Sequence, residues 1–118
     1  MEKQHYLMSF QTIQNKLNAV IKCNVDKLNA ANSLELKSEL IILNKNGVNN
    51  IILDLTKTKY CDSSGLSSIL IGNRLCKDTN GKFVLCGLHT SVLKMIQISQ
   101  LDKVLIIVDT EEAALSLF

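Results

Sequence analysis

The sequence predicts an α/β domain with a mixed sheet, built in the order ββαβαβαβα. Short runs rich in Ile, Leu and Val recur at 51–55, 82–86 and 104–108. Amphipathic segments with many apolar spacings of three or four residues separate them. Strands separated by helices pair in parallel through right-handed crossovers, whereas the two opening strands form an antiparallel hairpin. A chain of 118 residues buries roughly two thirds of its unfolded surface, so one domain over residues 1–118 is expected.

Tyr6 to Ile13 alternates loosely and suits the first strand. Gln14-Asn15-Lys16 is the expected turn, and Leu17 to Lys22 the second strand. Asn24 to Asn32 reads as a polar connection. The helix that follows takes its apolar face from Leu34, Leu36, Leu40, Ile41 and Leu43, interleaved with Glu35, Lys37, Glu39 and Lys45. Asn46-Gly47 ends it, because Asn and Gly accept the left-handed conformation of a C-cap. Ile51 to Leu55 is short and apolar, as suits a central strand buried on both faces.

A second helix runs from Ser64 towards Cys76. Leu66, Ile69, Leu70 and Leu75 line its broad apolar face, with Asn73, Arg74, Lys77 and Asp78 largely outside it, and Asn80-Gly81 stops it. Lys82 to Cys86 is a strand ended by Gly87. Ser91 to Ile98 is a short helix with Val92, Leu93, Met95 and Ile96 apolar. Met95, Ile98 and Leu101 suit either core and rim packing or a docking patch. Val104 to Val108 is the last strand. Asp109 or Thr110 is placed to cap a final helix, Glu111 to Phe118, whose first-turn acids complement its dipole.

Composition excludes several classes of function. Apolar residues make up 47% and charged residues 20%, as in an ordinary globular protein. The formal charge is only +2 and is scattered, and Arg74 is the one arginine, so no nucleic-acid partner is expected. No apolar run approaches the ~20 residues that span a bilayer. Met1-Glu2-Lys3-Gln4-His5 carries no signal-peptide pattern, and a cytoplasmic protein without membrane insertion is expected. Cys23, Cys61, Cys76 and Cys86 show no C-x-x-C spacing and are expected as free, buried thiols.

The chemistry concentrates in Lys59-Tyr60-Cys61-Asp62-Ser63-Ser64-Gly65-Leu66, where a strand hands over to a helix. A nucleophilic serine needs a histidine base and an acid orienting it. Only His5, in an N-terminal segment expected to fray, and His89 are present, and Asp-Ser-Ser-Gly is not the G-x-S-x-G elbow. Neither histidine has a metal-ligand partner at helical or hairpin spacing. The Walker and G-x-G-x-x-G phosphate loops are both absent. Two readings stay open. Ser63 caps the helix, a role worth roughly 1 kcal/mol. Alternatively, Ser63 accepts a phosphoryl group, whose charge of about −1.5 to −2 a helix N-terminus favours.

Asp62-Ser63-Ser64-Gly65-Leu66, preceded by the Ile51–Leu55 strand, resembles the signature of STAS domains, and more closely that of the free-standing bacterial anti-sigma factor antagonists. The resemblance runs on through Asn80-Gly81-Lys82-Phe83-Val84-Leu85-Cys86-Gly87, Val92-Leu93-Lys94-Met95-Ile96, Leu101-Asp102-Lys103-Val104 and Glu111-Glu112-Ala113-Ala114-Leu115. It implies a STAS fold with helices packed mainly on one side of the sheet. It also implies partner switching. The dephosphorylated antagonist sequesters an anti-sigma factor, usually a serine kinase, and phosphorylation of the serine after the motif aspartate, here Ser63, releases it. A serine phosphatase reverses the step. Asn29, Asp62, Ser64, Gly65 and Leu66 would then surround the phosphosite on the partner-binding surface. ATP and Mg²⁺ would belong to the kinase, the chain itself holding no cofactor or metal and being no enzyme. A monomer or weak dimer is expected.

Three positions depart from the family pattern. Asp26-Lys27-Leu28-Asn29 places Asn29 where an aspartate often stands, which keeps helix-capping ability but removes a charge that a kinase reads. Ser67 and Gln100 stand where glycine is common. The alternative is a STAS scaffold or accessory subunit of a transport or signalling complex, in which Ser63 only caps the helix.

Overall fold

The computed structural model describes residues 8–118. His5, and the positions Tyr6 and Leu7 of the expected first strand, lie outside the described residues. The hairpin consists of β1 (Phe10–Asn15) and β2 (Asn18–Cys23), antiparallel with Phe10 opposite Cys23 and Asn15 opposite Asn18. The turn is Lys16–Leu17, with Lys16 at φ 58°, and not the expected Gln14–Lys16. Pairing with Asn18 and Ala19 draws Asn15 and Gln14 into the ladder and outweighs their turn preference.

The chain continues through β3 (Lys27–Leu28), α1 (Ser33–Lys45), β4 (Asn50–Asp54), β5 (Tyr60–Cys61) and α2 (Ser63–Asp78). It ends with β6 (Phe83–Cys86), α3 (Thr90–Ile98), a 3-10 turn at Leu101–Lys103, β7 (Ile106–Val108) and α4 (Glu111–Leu115). The main sheet has the order β1-β2-β4-β6-β7, and all its pairings after the hairpin are parallel. The expected element order holds, with one addition: β3 and β5 form a second, parallel two-stranded sheet inside what read as loops.

Period-two alternation assigns the core. Ile21, Ile51, Leu53 and Leu85 meet Leu36 and Leu40 of α1, Ile69 and Cys76 of α2, and Val92 and Ile96 of α3. Their neighbours Val20, Ile52, Val84 and Cys86 point the other way, onto Ala114 of α4 and Phe118. Ile51, Ile52 and Leu53 are all fully buried, as a central parallel strand requires. Helices α1, α2 and α3 thus share one face of the sheet and α4 covers the other.

Asn73 corrects the expected face of α2. It is buried, whereas Leu70 and Leu75 are only partly so. A Cβ added at Gly72 would lie 2.6 Å from the Phe83 ring and 3.2 Å from Leu40 Cδ1. The helix therefore sits close enough to the sheet and α1 to cover the residue beside that glycine. The last strand also starts late. The Leu101 carbonyl accepts the Val104 and Leu105 amides at 3.1 and 2.9 Å, which holds both residues out of the ladder.

The expected stops are in place: Gly47 and Asn80 are left-handed at φ 95° and 63°. Thr110 caps α4, its hydroxyl oxygen accepting the Ala113 amide at 3.1 Å, and the helix ends at Leu115 and not Phe118. All four cysteines are free and buried. Among the described residues no helix is long and apolar enough to cross a membrane.

Candidate functional site

The segment between β4 and α2 is fastened from several sides. Asp54 Oδ1 accepts the Thr56 amide and hydroxyl at 2.9 and 2.5 Å. Thr58 is fully buried, and its hydroxyl donates to the Val25 carbonyl at 2.8 Å. The Lys59 and Tyr60 amides share the Asp26 carbonyl at 2.8 and 3.1 Å, and the Asp62 amide reaches the Leu28 carbonyl at 3.1 Å. From α3, the Ser91 hydroxyl donates to the Lys59 carbonyl. His89 Nε2 lies 2.6 Å from the Thr56 carbonyl, which only accepts, so that nitrogen carries a proton and is no free base for Ser63. Neither Thr58 nor Ser91 stood out as site-building in the sequence, and His89 was considered only as a base, since each acts through a partner more than 30 positions away.

Asp62 has extended backbone, φ −97° and ψ −172°, and is the N-cap of α2. Its Oδ1 accepts the Gly65 amide at 3.0 Å, and its carbonyl accepts the Leu66 amide at 2.9 Å. Ser63 is the first helical residue; its side chain is exposed, and its hydroxyl makes no hydrogen bond among the described residues. Ser64 is half-buried. Gly65 lets α2 approach β3 and β5: a Cβ there would lie 2.6 Å from the Leu28 carbonyl oxygen and 2.8 Å from Cys61 Sγ. Leu66 faces the core at 7% exposure. The structure therefore brings Asp62, Ser63, Ser64, Gly65 and Leu66 into one helix start with different tasks: cap, exposed hydroxyl, rim, close contact and anchor.

Beside this start lies a groove of about 280 Å³ lined by Lys27, Leu28, Asn29, Tyr60, Cys61, Asp62 and Met95. Asn29 thus shares a wall with Asp62, but it does not cap α1. Its Oδ1 accepts the Ala31 amide at 2.9 Å, a turn-type bond two residues ahead, and Asn32 is the N-cap. Asn32 instead ties the rim together, accepting the Asn29 amide at 3.0 Å and donating to the Lys27 carbonyl at 2.9 Å. Lys27 Nζ stands 5.8 Å from the centre of the Tyr60 ring, within cation–π range. Ile98, at 79% exposure, is the most exposed apolar residue of α3, while Met95 and Leu101 are half-buried.

Burial pushes the Cys61 thiol up to about 12, with the charge of Asp62 adding to the effect, so it remains a protonated, unreactive wall of the groove. No group of three or more His, Cys, Asp and Glu among the described residues is placed to hold a metal ion.

The STAS domain model matches residues 9–114. The chain belongs to the STAS domain family. It is 29% identical over 99 residues to BtrV of Bordetella bronchiseptica, named provisionally as an anti-sigma factor antagonist, covering 84% of this chain and 85% of the relative. A Thermotoga maritima crystal structure described in the same terms superposes with a TM-score of 0.81 at 24% identity, covering 95% of this chain and 96% of that one.

The anti-sigma factor antagonist SpoIIAA in its unphosphorylated form superposes with a TM-score of 0.78 at 23% identity, covering 90% and 92% of the two chains. The phosphorylated Bacillus SpoIIAA superposes at 0.72 and 22% identity, covering 91% and 96%. As a STAS protein the chain has the fold implied by its motif, with the helices mainly on one side of a mixed sheet.

Proposed function

We propose that this STAS protein is an anti-sigma factor antagonist: a binding protein, not an enzyme, that sequesters an anti-sigma factor with serine kinase activity and is switched off by phosphorylation of Ser63. The observation that carries this reading is the division of labour at the start of α2. Asp62 takes the cap, and Ser63 presents an unengaged hydroxyl to solvent. The scaffold alternative gave Ser63 the capping role, which Asp62 already fills. A relative named in the same way and a fold neighbour known in unphosphorylated and phosphorylated forms support the reading.

The chemistry is compatible with a switch that leaves the fold intact. The first amides of a helix lack intrahelical partners, and the helix dipole favours an added phosphate there by ~0.3–1 kcal/mol. Asp62 opposes it by charge repulsion of a few kcal/mol at most, at an effective dielectric near 20. The docking surface gains about −1.5 to −2 charges at one spot, and each ~1.4 kcal/mol lost at the interface lowers affinity about tenfold. In this reading ATP and Mg²⁺ are the kinase's, a serine phosphatase resets the switch, and the groove between Asn29, Tyr60 and Met95 receives an apolar side chain of the partner.

Titration calorimetry against the cognate anti-sigma kinase tests the proposal. Ser63→Ala is expected to bind as tightly as the unmodified protein, and Ser63→Asp to lose at least about tenfold in affinity while keeping its unfolding midpoint. Equal affinities for the two variants contradict it.

A further inference from the structure

We propose that this chain forms a two-fold homodimer by antiparallel pairing of the outer edge of β1 with β1 of a second copy, centred on Ile13. The two edges of the main sheet are unlike. β7 is only three residues long, which is one way to protect an edge. β1 is six residues long, and no described strand pairs with its outer side. Phe10-Gln11-Thr12-Ile13-Gln14-Asn15 contains no charge and no proline, and each of its residues pairs one-to-one with β2, so no bulge turns it away. Among the described residues none of the usual devices against edge-to-edge pairing is present. The open row of N–H and C=O groups specifies the occupant as a β-strand.

The identity of that strand follows from self-complementarity. The two-residue turn makes Asn15 and Asn18 the closing pair, which in a two-residue hairpin is hydrogen-bonded. Alternation then leaves the backbone groups of Phe10, Thr12 and Gln14 directed outward. Pairing Thr12 with Gln14 of the second copy uses these groups. It also sets the two Ile13 residues opposite each other as a non-hydrogen-bonded pair, the closer of the two kinds. No like charges meet, because the strand has none.

Ile13 lies opposite Val20, on the face covered by α4. It is 50% exposed and borders a groove of about 200 Å³ with Val20, Leu115 and Phe118. Leu115 is itself 47% exposed. The pairing joins the two Ile13 residues and the two grooves, mainly apolar but bordered also by Asn15, Asn18 and Glu111, into one strip across the two-fold axis. Ser63, on α2 over the opposite face, stays outside the interface, so one dimer presents two switch sites.

Sedimentation equilibrium over a concentration series, combined with single cysteine variants on the edge, tests this. The expected result is a concentration-dependent dimer whose dissociation constant rises at least about tenfold in Ile13→Lys, with circular dichroism and unfolding midpoint close to those of the parent. Under mild oxidation Ile13→Cys is expected to cross-link, since non-hydrogen-bonded partners have a Cα separation suited to a disulfide, while Thr12→Cys and Gln14→Cys are not. A protein that stays monomeric throughout, with its edge left for a strand of some other protein, overturns the proposal. So does a dimer unaffected by Ile13→Lys, or cross-linking at Thr12→Cys in preference to Ile13→Cys.

Discussion

The carboxylate of Asp62 accepts the amide of Gly65 at 3.0 Å. That one bond relieves Ser63 of any capping duty. Asp62→Ala is expected to destabilise the protein by about 0.5–2 kcal/mol, as loss of a good cap does, and Asp62→Asn to retain most of that. Ser63→Ala should stay within about 0.5 kcal/mol of the parent. Urea unfolding of the three variants checks the ranking; a Ser63→Ala loss as large as that of Asp62→Ala would return the cap to Ser63.

Gly65 is held by contact and not by backbone conformation. Its missing Cβ would overlap the Leu28 carbonyl and Cys61 Sγ, both within 2.8 Å. Gly65→Ala must push α2 away from β3 and β5, and overpacking of this kind costs about 1–3 kcal/mol. The same push moves Asp62 and Ser63 away from Asn29, so the variant should lose partner affinity beyond what its stability change explains. Retained binding in a correctly folded fraction contradicts that coupling.

The sheet, its hairpin and the four helices were legible because their apolar periodicities are strong and their stops, Gly47 and Asn80, carry the conformations their residue types favour. The site was legible only in part. Strands β3 and β5 have two residues each and show no period, yet they set the groove beside Ser63. Thr58, His89 and Ser91 fasten the loop through carbonyls far away in sequence, and a carbonyl leaves no trace in residue identity. Asn73 broke the helical pattern because burial there follows from the small neighbour Gly72, not from its own polarity.

Gln100 is left-handed at φ 60° and ψ 21°. A side chain in that conformation costs about 1–2 kcal/mol, against the ~0.5–1 kcal/mol of extra chain entropy that glycine loses. Gln100→Gly is therefore expected to stabilise the protein by about 0.5–1 kcal/mol, measured as a raised urea midpoint at unchanged slope. A destabilised variant contradicts the strain argument.

Burial raises Cys61 and Cys86 from an ordinary 9.0 to about 12, and Cys76 to about 11. Above pH 9 the unfolded chain releases these protons while the folded one keeps them. The stability they contribute is thus complete below pH 9 and is lost as pH rises from there towards 12. The comparison is with Cys61→Val/Cys86→Val. The double variant should lose less stability than the parent between about pH 8 and about pH 10.5. Parallel losses contradict the assignment. Reactivity follows the same logic: a thiol reagent at neutral pH should label all four cysteines in urea and few or none in the native protein.

Ser63 is the proposed switch. Incubation with the cognate serine kinase, ATP and Mg²⁺, followed by peptide mass mapping, reads it directly. One phosphate is expected, on Ser63, with Ser64 unmodified and no incorporation in Ser63→Ala. Phosphate on Ser64 or elsewhere, or none at all with a kinase that modifies its own antagonist under the same conditions, contradicts it.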